Sequence, residues 1–120
     1  MFSLDGRVAL VTGSSTGLGK AIAIALGKAG ATVAMNYYNN DERAADALQE
    51  FRDAGGQGDM FRGNVIDPDD VNRLYDEIKE KLGPVDILVC NATPDQPQKP
   101  IEEYDWDFYQ SMLDFFIKSP

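Results

Sequence analysis

Two patterns of hydrophobic and polar positions alternate along the chain. Short, continuously apolar runs are typical of strands buried on both faces, and they cover residues 8–12, 32–37 and 85–90, with a weaker run at 59–65. Between these runs, apolar residues recur every three or four positions, as on helices that pack one face against a core. Residues that start or end helices bound these segments, namely Gly30, Asn39-Asn40, Gly55-Gly56, Asp67-Pro68 and Gly83-Pro84. A last helical pattern covers residues 104–118.

The order of these segments predicts an α/β fold. Strands and helices alternate as βαβαβαβα, and connections of roughly 20 residues suit parallel strands joined by a packed helix. Right-handed connections wind such units onto one sheet. We therefore predict a doubly wound parallel sheet of Rossmann type, a half fold with strand order 3-2-1-4 in three α/β/α layers. Since no repeat or linker divides the sequence, residues 1–120 are predicted to form a single domain.

The apolar stripes of the helices predict which side chains face the sheet. The first helix presents Leu18, Ile22, Ala25, Leu26 and Ala29. The second presents Ala44, Ala47, Leu48 and Phe51, and the third presents Val71, Leu74, Tyr75, Ile78 and Leu82.

A glycine-rich turn follows the first strand, in the segment VTGSSTGLGKA at residues 11–21. A P-loop for nucleoside triphosphates reads GxxxxGK and then Ser or Thr. Aligning Gly19-Lys20 with that motif puts Ser14 at the first glycine and Ala21 at the Mg²⁺-binding hydroxyl, so two of the four defining positions fail. The strand-turn-helix context favours instead a turn that binds the pyrophosphate of a dinucleotide.

Each part of this turn has a role in the dinucleotide interpretation. Gly13 makes the sharp exit from the strand, and Gly17 and Gly19 leave room for pyrophosphate at the helix N-terminus, where unpaired amides favour an anion. Hydroxyl groups between the glycines, including that of Ser14, add hydrogen-bond donors. A turn that only packs the helix on the sheet is the alternative. The predicted cofactor-binding residues of the turn are Gly13, Ser15, Thr16, Gly17, Leu18 and Gly19.

Composition and charge exclude several classes of function. The net charge of −9 opposes nucleic-acid binding, which needs a basic face. The sequence contains no histidine, and its single cysteine, Cys90, excludes an internal disulfide or a cysteine-cluster metal site. No segment has the ~20 apolar residues of a membrane span, and no signal-peptide pattern opens the chain. We therefore expect a cytoplasmic protein with no nucleic-acid or membrane partner.

The segment TGSSTGLGKAIA at residues 12–23, followed by Asn91-Ala92, resembles the N-terminal half of a short-chain dehydrogenase/reductase. The segments DPDDV at 67–71 and GPVDILVCNA at 83–92 are also typical of that family, so the resemblance covers nearly the whole chain. It implies a seven-stranded Rossmann fold of roughly twice this length. It also implies NAD or NADP as cofactor and the oxidation of alcohols or reduction of carbonyls.

The end of the second strand bears on cofactor preference. NAD-dependent proteins place an acid there, which binds the ribose hydroxyls and repels a 2′-phosphate. The matching residue is Tyr37, followed by Tyr38 and Asn39, so no acid opposes the phosphate. NADP is therefore the predicted cofactor, and NAD is the alternative because Thr16 stands where NADP-dependent members often carry a basic residue. Arg43 can supply the charge from the next helix, although acidic neighbours compete. One of the two tyrosines can also be a plain packing residue at the strand end.

Two further pairs match positions of the family. Asn64-Val65 stands where the family carries an Asp-Val pair beside the adenine, although Asn64 can equally be a turn residue. Asn91-Ala92 matches the start of the family's Asn-Ala-Gly. Thr93 replaces the glycine, and its side chain can crowd the ribose or change the loop. Three prolines between residues 94 and 100 predict a stiff loop on the substrate side.

No catalytic or metal-binding residue is predicted in this chain. The family's catalytic Ser and Tyr-x-x-x-Lys follow the fourth strand, on segments beyond Pro120, so we expect a chain truncated before the catalytic half and inactive alone. Tyr75 and Lys79 have the Tyr-x-x-x-Lys spacing but lie on a helix predicted to pack on the sheet, so we interpret the match as a coincidence. Phe116 stands where the family has an asparagine that holds a proton-relay water, and a phenyl ring cannot form those hydrogen bonds.

Aromatic residues crowd the last helical segment, residues 104–118. They exceed what one packed face can hide, so we expect a homo-oligomer through this helix, with a large contribution to the core as the alternative. Two functions stay open: an NAD(P)-dependent oxidoreductase whose dinucleotide-binding half this chain supplies, or a non-catalytic dinucleotide-binding or protein-interaction module complete at 120 residues. The first is favoured because the fourth strand would otherwise be a bare apolar edge. The substrate is not defined by this sequence.

Overall fold

A computed structural model describes residues 3–92 together with Trp106, Asp107 and Gln110. The strands are β1 (Val8–Val11), β2 (Thr32–Tyr37), β3 (Gln57–Arg62) and β4 (Ile87–Val89), and the helices are α1 (Gly17–Lys28), α2 (Asp41–Asp53) and α3 (Pro68–Lys81). The predicted alternation of strands and helices is confirmed over this range.

All four strands lie parallel in one sheet with the order β3-β2-β1-β4. At the centre of the sheet, Leu10 pairs with Ala34 on one side and with Leu88 on the other. The predicted Rossmann-type sheet is confirmed, including its strand order. Because the strands run in the same direction, the turns that follow them lie side by side at the carboxyl ends of the strands.

Helices cover both faces of the sheet, which gives the predicted three layers. On one face, the buried Val11, Val33 and Met35 pack in one core with Ala23 of α1 and Phe51 of α2. On the other face, Val8, Ala34 and Phe61 pack with Leu74 and Ile78 of α3. Each fully buried valine, leucine, isoleucine, phenylalanine or methionine side chain contributes about 1.5–3 kcal/mol relative to an exposed one, so these two cores hold the turns in place.

Side-chain caps start α2 and α3 where the sequence predicts them. The Asn40 side chain accepts a hydrogen bond from the amide of Arg43 at 2.9 Å, and Asn40 itself is left-handed with φ 69°. The Asp67 carboxylate accepts from the amide of Asp69 at 3.0 Å, and Pro68 follows as the first helical residue. Proline suits that position because its missing N–H would have no partner inside the helix.

β3 and β4 end earlier than their apolar runs do. β3 ends at Arg62 because Asn64 turns the chain: its side chain accepts from the amide of Ile66, and its carbonyl accepts from the amide of Asp67. β4 ends at Val89 because the amides of Asn91 and Ala92 donate to the side chain of Thr12, at 2.9 and 3.1 Å, and not to a neighbouring strand.

Some predicted core positions face outward. On α3, Val71 and Tyr75 are 39% and 44% exposed, so the prediction that Tyr75 packs on the sheet is wrong. The buried face of α3 is narrower than its apolar stripe, since only Leu74 and Ile78 of the helix are buried. On α1, Leu18 is 69% exposed and lines a cavity.

Several predictions concern residues outside the described part. They are the crowding by Thr93, the stiff loop at 94–100, the effect of Phe116 and most of the helix predicted at 104–118. Within that helix, the described Trp106, Asp107 and Gln110 are helical, and Trp106 is 67% exposed. Among the helices described, none combines the length and the apolar character needed to cross a membrane.

Candidate functional site

A cavity of about 920 Å³ lies at the carboxyl ends of the strands. The turns after all four strands contribute to its wall. Twelve of the thirteen residues predicted to bind a cofactor line it: Gly13, Ser15, Thr16, Gly17, Leu18, Tyr37, Tyr38, Asn39, Asn64, Val65, Asn91 and Ala92. The remaining wall consists of Asn36, Arg43, Gly63 and Ile66.

Gly19, the thirteenth residue, is buried behind the cavity wall. A Cβ at this position would lie 2.6 Å from the carbonyl oxygen of Gly13 and would collide with the side-chain nitrogen of Asn91. The absence of a side chain therefore lets α1 pack close to the end of β1. Its contribution is to backbone packing, since it offers no surface to the cavity.

Gly13 has a conformational and a steric reason to be glycine. Its φ of 61° lies in the left-handed region. A Cβ there would also lie 2.7 Å from the Cα of Ala92, which is closer than real contacts allow. The turn after β1 therefore lies directly against Ala92, three residues after the end of β4.

The N-terminus of α1 opens into the cavity. Thr16 is the N-cap residue but forms no side-chain cap, and the first turn of the helix contains no acidic residue. Within residues 3–92, the amides of Thr16, Gly17 and Leu18 donate to no protein acceptor. Unpaired amides and the positive end of the helix dipole make this end suited to an anion.

Ser14 does not contribute its hydroxyl to the cavity, so the prediction that it donates to the phosphate is wrong. It is fully buried, and its Oγ donates to the carbonyl of Val11 at 2.8 Å. The same oxygen accepts from the amide of Asn36 at 2.8 Å. Ser14 therefore joins the turn to β2, and the neighbouring Ser15 and Thr16 are the residues that line the cavity.

The end of β2 forms a polar section of the wall. The Tyr37 hydroxyl donates to a carboxylate oxygen of Asp41 at 2.7 Å, and this hydrogen bond raises the pKa of Tyr37 above its usual value. The guanidinium of Arg62 lies 5.2 Å from the ring centre of Tyr38 and donates to its carbonyl. Arg43 supplies positive charge to the wall from α2.

The turn after β3 is fixed from both sides. The amide of Asn64 donates to the Asp70 carboxylate at 2.9 Å, and this hydrogen bond lowers the pKa of Asp70 below its usual value. The Asn64 side-chain oxygen closes the turn through the amide of Ile66. The turn role predicted as the alternative for Asn64 is therefore present, and the residue lines the cavity as well.

Asn91 and Thr12 join the end of β4 to the glycine turn. The Asn91 side-chain nitrogen donates to the carbonyl of Gly13 at 3.0 Å. The Thr12 hydroxyl oxygen accepts from the amides of Asn91 and Ala92. The positions of the residues after β4 thus depend on side chains of the first turn.

Sequence reasoning missed four residues of the wall or its support: Thr12, Asn36, Gly63 and Ile66. Asn36 carried a usable signal, because a polar residue in the apolar run TVAMNY must find hydrogen-bond partners if it is buried. Gly63 and Ile66 carried none, since their place depends on how the β3 turn closes.

The chain is similar in sequence to known proteins. The sequence profile of the short chain dehydrogenase family matches residues 7–120. A 3beta-hydroxysteroid dehydrogenase of Mediterraneibacter gnavus is 36% identical over 99% of this chain and 43% of its own length.

Solved structures show the same relation. A short-chain type dehydrogenase/reductase from Mycobacterium marinum superposes with a TM-score of 0.87 at 34% identity, over 98% of this chain and 47% of that one. The landomycin C-6 ketoreductase LanV, solved with bound NADP and rabelomycin, superposes with a TM-score of 0.82 at 35% identity, over 98% of this chain and 50% of that one. The chain thus spans about half the length of these relatives. With the family profile matched over 114 of its 120 residues (7 to 120), the chain belongs to the short-chain dehydrogenase/reductase family.

Proposed function

We propose that this chain supplies the dinucleotide-binding half of an NADP-preferring oxidoreductase that transfers hydride between a nicotinamide and a carbonyl or alcohol. The observation that carries the proposal is the N-terminus of α1, whose unpaired amides open into the cavity beside the glycine turn. A dinucleotide presents a pyrophosphate that such an end binds.

The wall fits the shape of a dinucleotide as well as its charge. A Cβ on Gly13 would collide with Ala92, so no side chain fits between the turn after β1 and the residues after β4. Thr16, Gly17 and Leu18 would hold the pyrophosphate, and Asn64 and Val65 would contact the adenine side. Asn91 and Ala92 would face the nicotinamide ribose. When bound, the nicotinamide supplies the hydride or accepts it.

A preference for NADP is supported by the charges near Tyr37. Arg43 lines the cavity, and its guanidinium has no hydrogen bond or ion pair with any described residue. Asp41, the first residue of α2, accepts a hydrogen bond from the Tyr37 hydroxyl and forms no ion pair with Arg43. Arg43 is therefore available for a 2′-phosphate, since guanidinium groups bind phosphate with paired, charge-assisted hydrogen bonds.

We assign no catalytic role to the described residues that line the cavity. Tyr75 and Lys79, the pair with the family's catalytic spacing, lie on the exposed side of α3 and do not line the cavity. This supports the interpretation of the pair as a coincidence. Proton transfer to the substrate would therefore rely on residues outside the described part of the chain.

A titration of the 120-residue chain with NADPH and NADH, by calorimetry, tests the proposal. We expect saturable binding of both, with NADPH tighter. Tighter binding of NADH would contradict the preference for NADP. Absence of binding by a chain that circular dichroism shows to be folded would contradict the dinucleotide site itself and favour the protein-interaction module.

The variant Arg43→Ala sharpens this test. We expect the affinity for NADPH to fall about tenfold or more, as for loss of a charged hydrogen bond, with the affinity for NADH unchanged. Arg52→Ala is the matched control, because it removes the same charge from α2 at a residue outside the cavity wall. Equal effects of the two variants on NADPH would show that only net charge matters.

Two other expectations stay predictions. They are the homo-oligomer through residues 104–118 and the cytoplasmic location. The non-catalytic module also stays open, and the titration separates only its protein-interaction form from the dinucleotide site.

A further inference from the structure

Asn36 is a buried polar side chain near the end of an apolar strand. It is 2% exposed, it follows the fully buried Met35, and it lines the cavity wall. A buried amide without partners costs free energy, so a strand gains nothing from one unless its hydrogen bonds are made. The position of Asn36 therefore raises the question of what its hydrogen bonds hold.

On one side, Asn36 holds the glycine turn. Its side-chain oxygen accepts from the amide of Gly13 at 3.0 Å. Its main chain forms two hydrogen bonds with Ser14. The Asn36 amide donates to the Ser14 hydroxyl, and the Asn36 carbonyl accepts from the Ser14 amide, both at 2.8 Å. The Gly13 amide is thereby committed to Asn36, which leaves the later amides of the turn for an anion.

On the other side, the same side chain holds the turn after β3. Its nitrogen donates to the carbonyl of Gly63 at 3.2 Å and to that of Phe61 at 3.3 Å. Gly63 begins the turn that contains Asn64 and Val65. The side-chain amide of Asn36 thus bridges two turns that are 50 positions apart in the sequence (Gly13 to Gly63). Both turns line the cavity.

Few other side chains could form this bridge. A leucine would fill the volume but offer no hydrogen bond, and an ionised aspartate could accept from Gly13 but could not donate to the two carbonyls. A serine has one hydroxyl on a shorter stem. The amide of Asn36 combines an acceptor facing one turn with donors facing the other.

We infer that Asn36 is a positioning residue that couples the pyrophosphate end of the cavity to its adenine end. Through it, an anion bound at the glycine turn also orders the turn at residues 63–66. This inference rests on the proposed function, since it assigns the two turns to two parts of one dinucleotide.

Substitution of Asn36 tests the inference. In Asn36→Ala the NADPH affinity should fall about tenfold, because both turns lose their common partner. Ile78→Ala is the matched control: it weakens the core under α3 without touching the cavity wall, so it lowers the melting temperature and leaves the affinity for NADPH unchanged. Both affinities are measured at a temperature where circular dichroism shows each variant to be folded.

A second measurement needs no substitution. Inorganic pyrophosphate is titrated into the ¹⁵N-labelled chain, and the amide shifts are followed by NMR. We expect shifts at Thr16 and Gly17 and also at residues 63–66. Shifts confined to the glycine turn, or no shifts, would overturn the coupling.

The outcomes separate this inference from the proposed function. If the unmodified, folded chain fails to bind NADPH, the proposed function fails and the coupling fails with it. If the unmodified chain binds NADPH and Asn36→Ala binds it equally well, the coupling alone is overturned.

Discussion

The two edges of the sheet are built differently. At the β3 edge, Asp59 forms ion pairs with Arg52 and Lys81, and Arg52 also donates to the carbonyl of Gly58. At the β4 edge, Leu88 is 57% exposed, Cys90 is exposed, and no ion pair involves residues 85–92 within the described part of the chain. Charges on an edge strand discourage pairing with another chain. β3 is thus protected as an outer strand, whereas β4 resembles an inner strand with no second neighbour among the residues that the structure describes.

The strongest test of this contrast changes the β4 edge. We expect the unmodified chain to self-associate through β4 and Leu88→Lys to weaken that association about tenfold or more, since burial of a leucine is worth about 1.5–3 kcal/mol. Sedimentation velocity at several concentrations measures the effect. Lys81→Met is the matched variant at the β3 edge, and it should leave the association of the β4 edge unchanged. If both variants associate like the unmodified chain, the difference between the charged β3 edge and the apolar β4 edge does not govern association.

The second test concerns the hydrogen bonds that hold the residues after β4 against Thr12, next to β1. Thr12→Val keeps the shape of the side chain but removes the acceptor for the amides of Asn91 and Ala92. We expect the free energy of unfolding to fall by about 1–3 kcal/mol, as for partly buried donors that lose their partner. Urea unfolding measures the change.

Thr32→Val is the control for the second test, because Thr32 is half-buried on β2 and its side chain forms no hydrogen bond with a described residue. Its effect should stay below about 0.5 kcal/mol, as for changes away from such features. A loss in Thr12→Val as small as that of the control would show that the hydroxyl does not hold β4.

The smallest effect concerns the charges of the β3 edge. Burial raises the pKa of Asp59, but the hydrogen bonds from Lys81 and from the amide of Met60 lower it by more, so the net pKa lies below its usual value. A lowered pKa in the folded state contributes stability that is present above the usual pKa and is lost as the pH falls through the folded value.

We therefore expect Asp59→Asn to be less stable than the unmodified chain at neutral pH and for that difference to shrink as the pH falls below about 4. Unfolding in urea at a series of pH values measures this. Asp53→Asn, which changes an exposed contact with Gln49 on α2, is the control. A difference for Asp59→Asn that persists unchanged into acid would contradict the role of its charge.

The sequence predicted the fold because local signals and topology agree. Apolar runs, helix stripes and caps such as Asp67-Pro68 define the elements, and parallel connections permit few arrangements. The glycine turn was predictable for the same reason, since its spacing, strand and helix occur together. Twelve of the thirteen predicted site residues consequently line one cavity.

The remaining features depend on contacts between distant segments. The sequence predicts a free hydroxyl at Ser14. In the structure the side chain is buried, and its oxygen is hydrogen-bonded to the carbonyl of Val11 and the amide of Asn36. The early end of β4 depends on Thr12, which lies 79 positions before Asn91. Tyr75 reads as a core residue because a helical stripe does not reveal how wide the covered face is.

The contact between Gly13 and Ala92 also bears on the order of folding. The hydrogen bond between Gly13 and Asn91 spans 78 positions, so closing it brings together ends separated by most of the described chain. Long closures of this kind carry the largest entropic cost and come late in folding. We therefore expect the turn after β1, although it begins near the N-terminus, to acquire its final wall only after β4 has docked, late in the folding of the molecule.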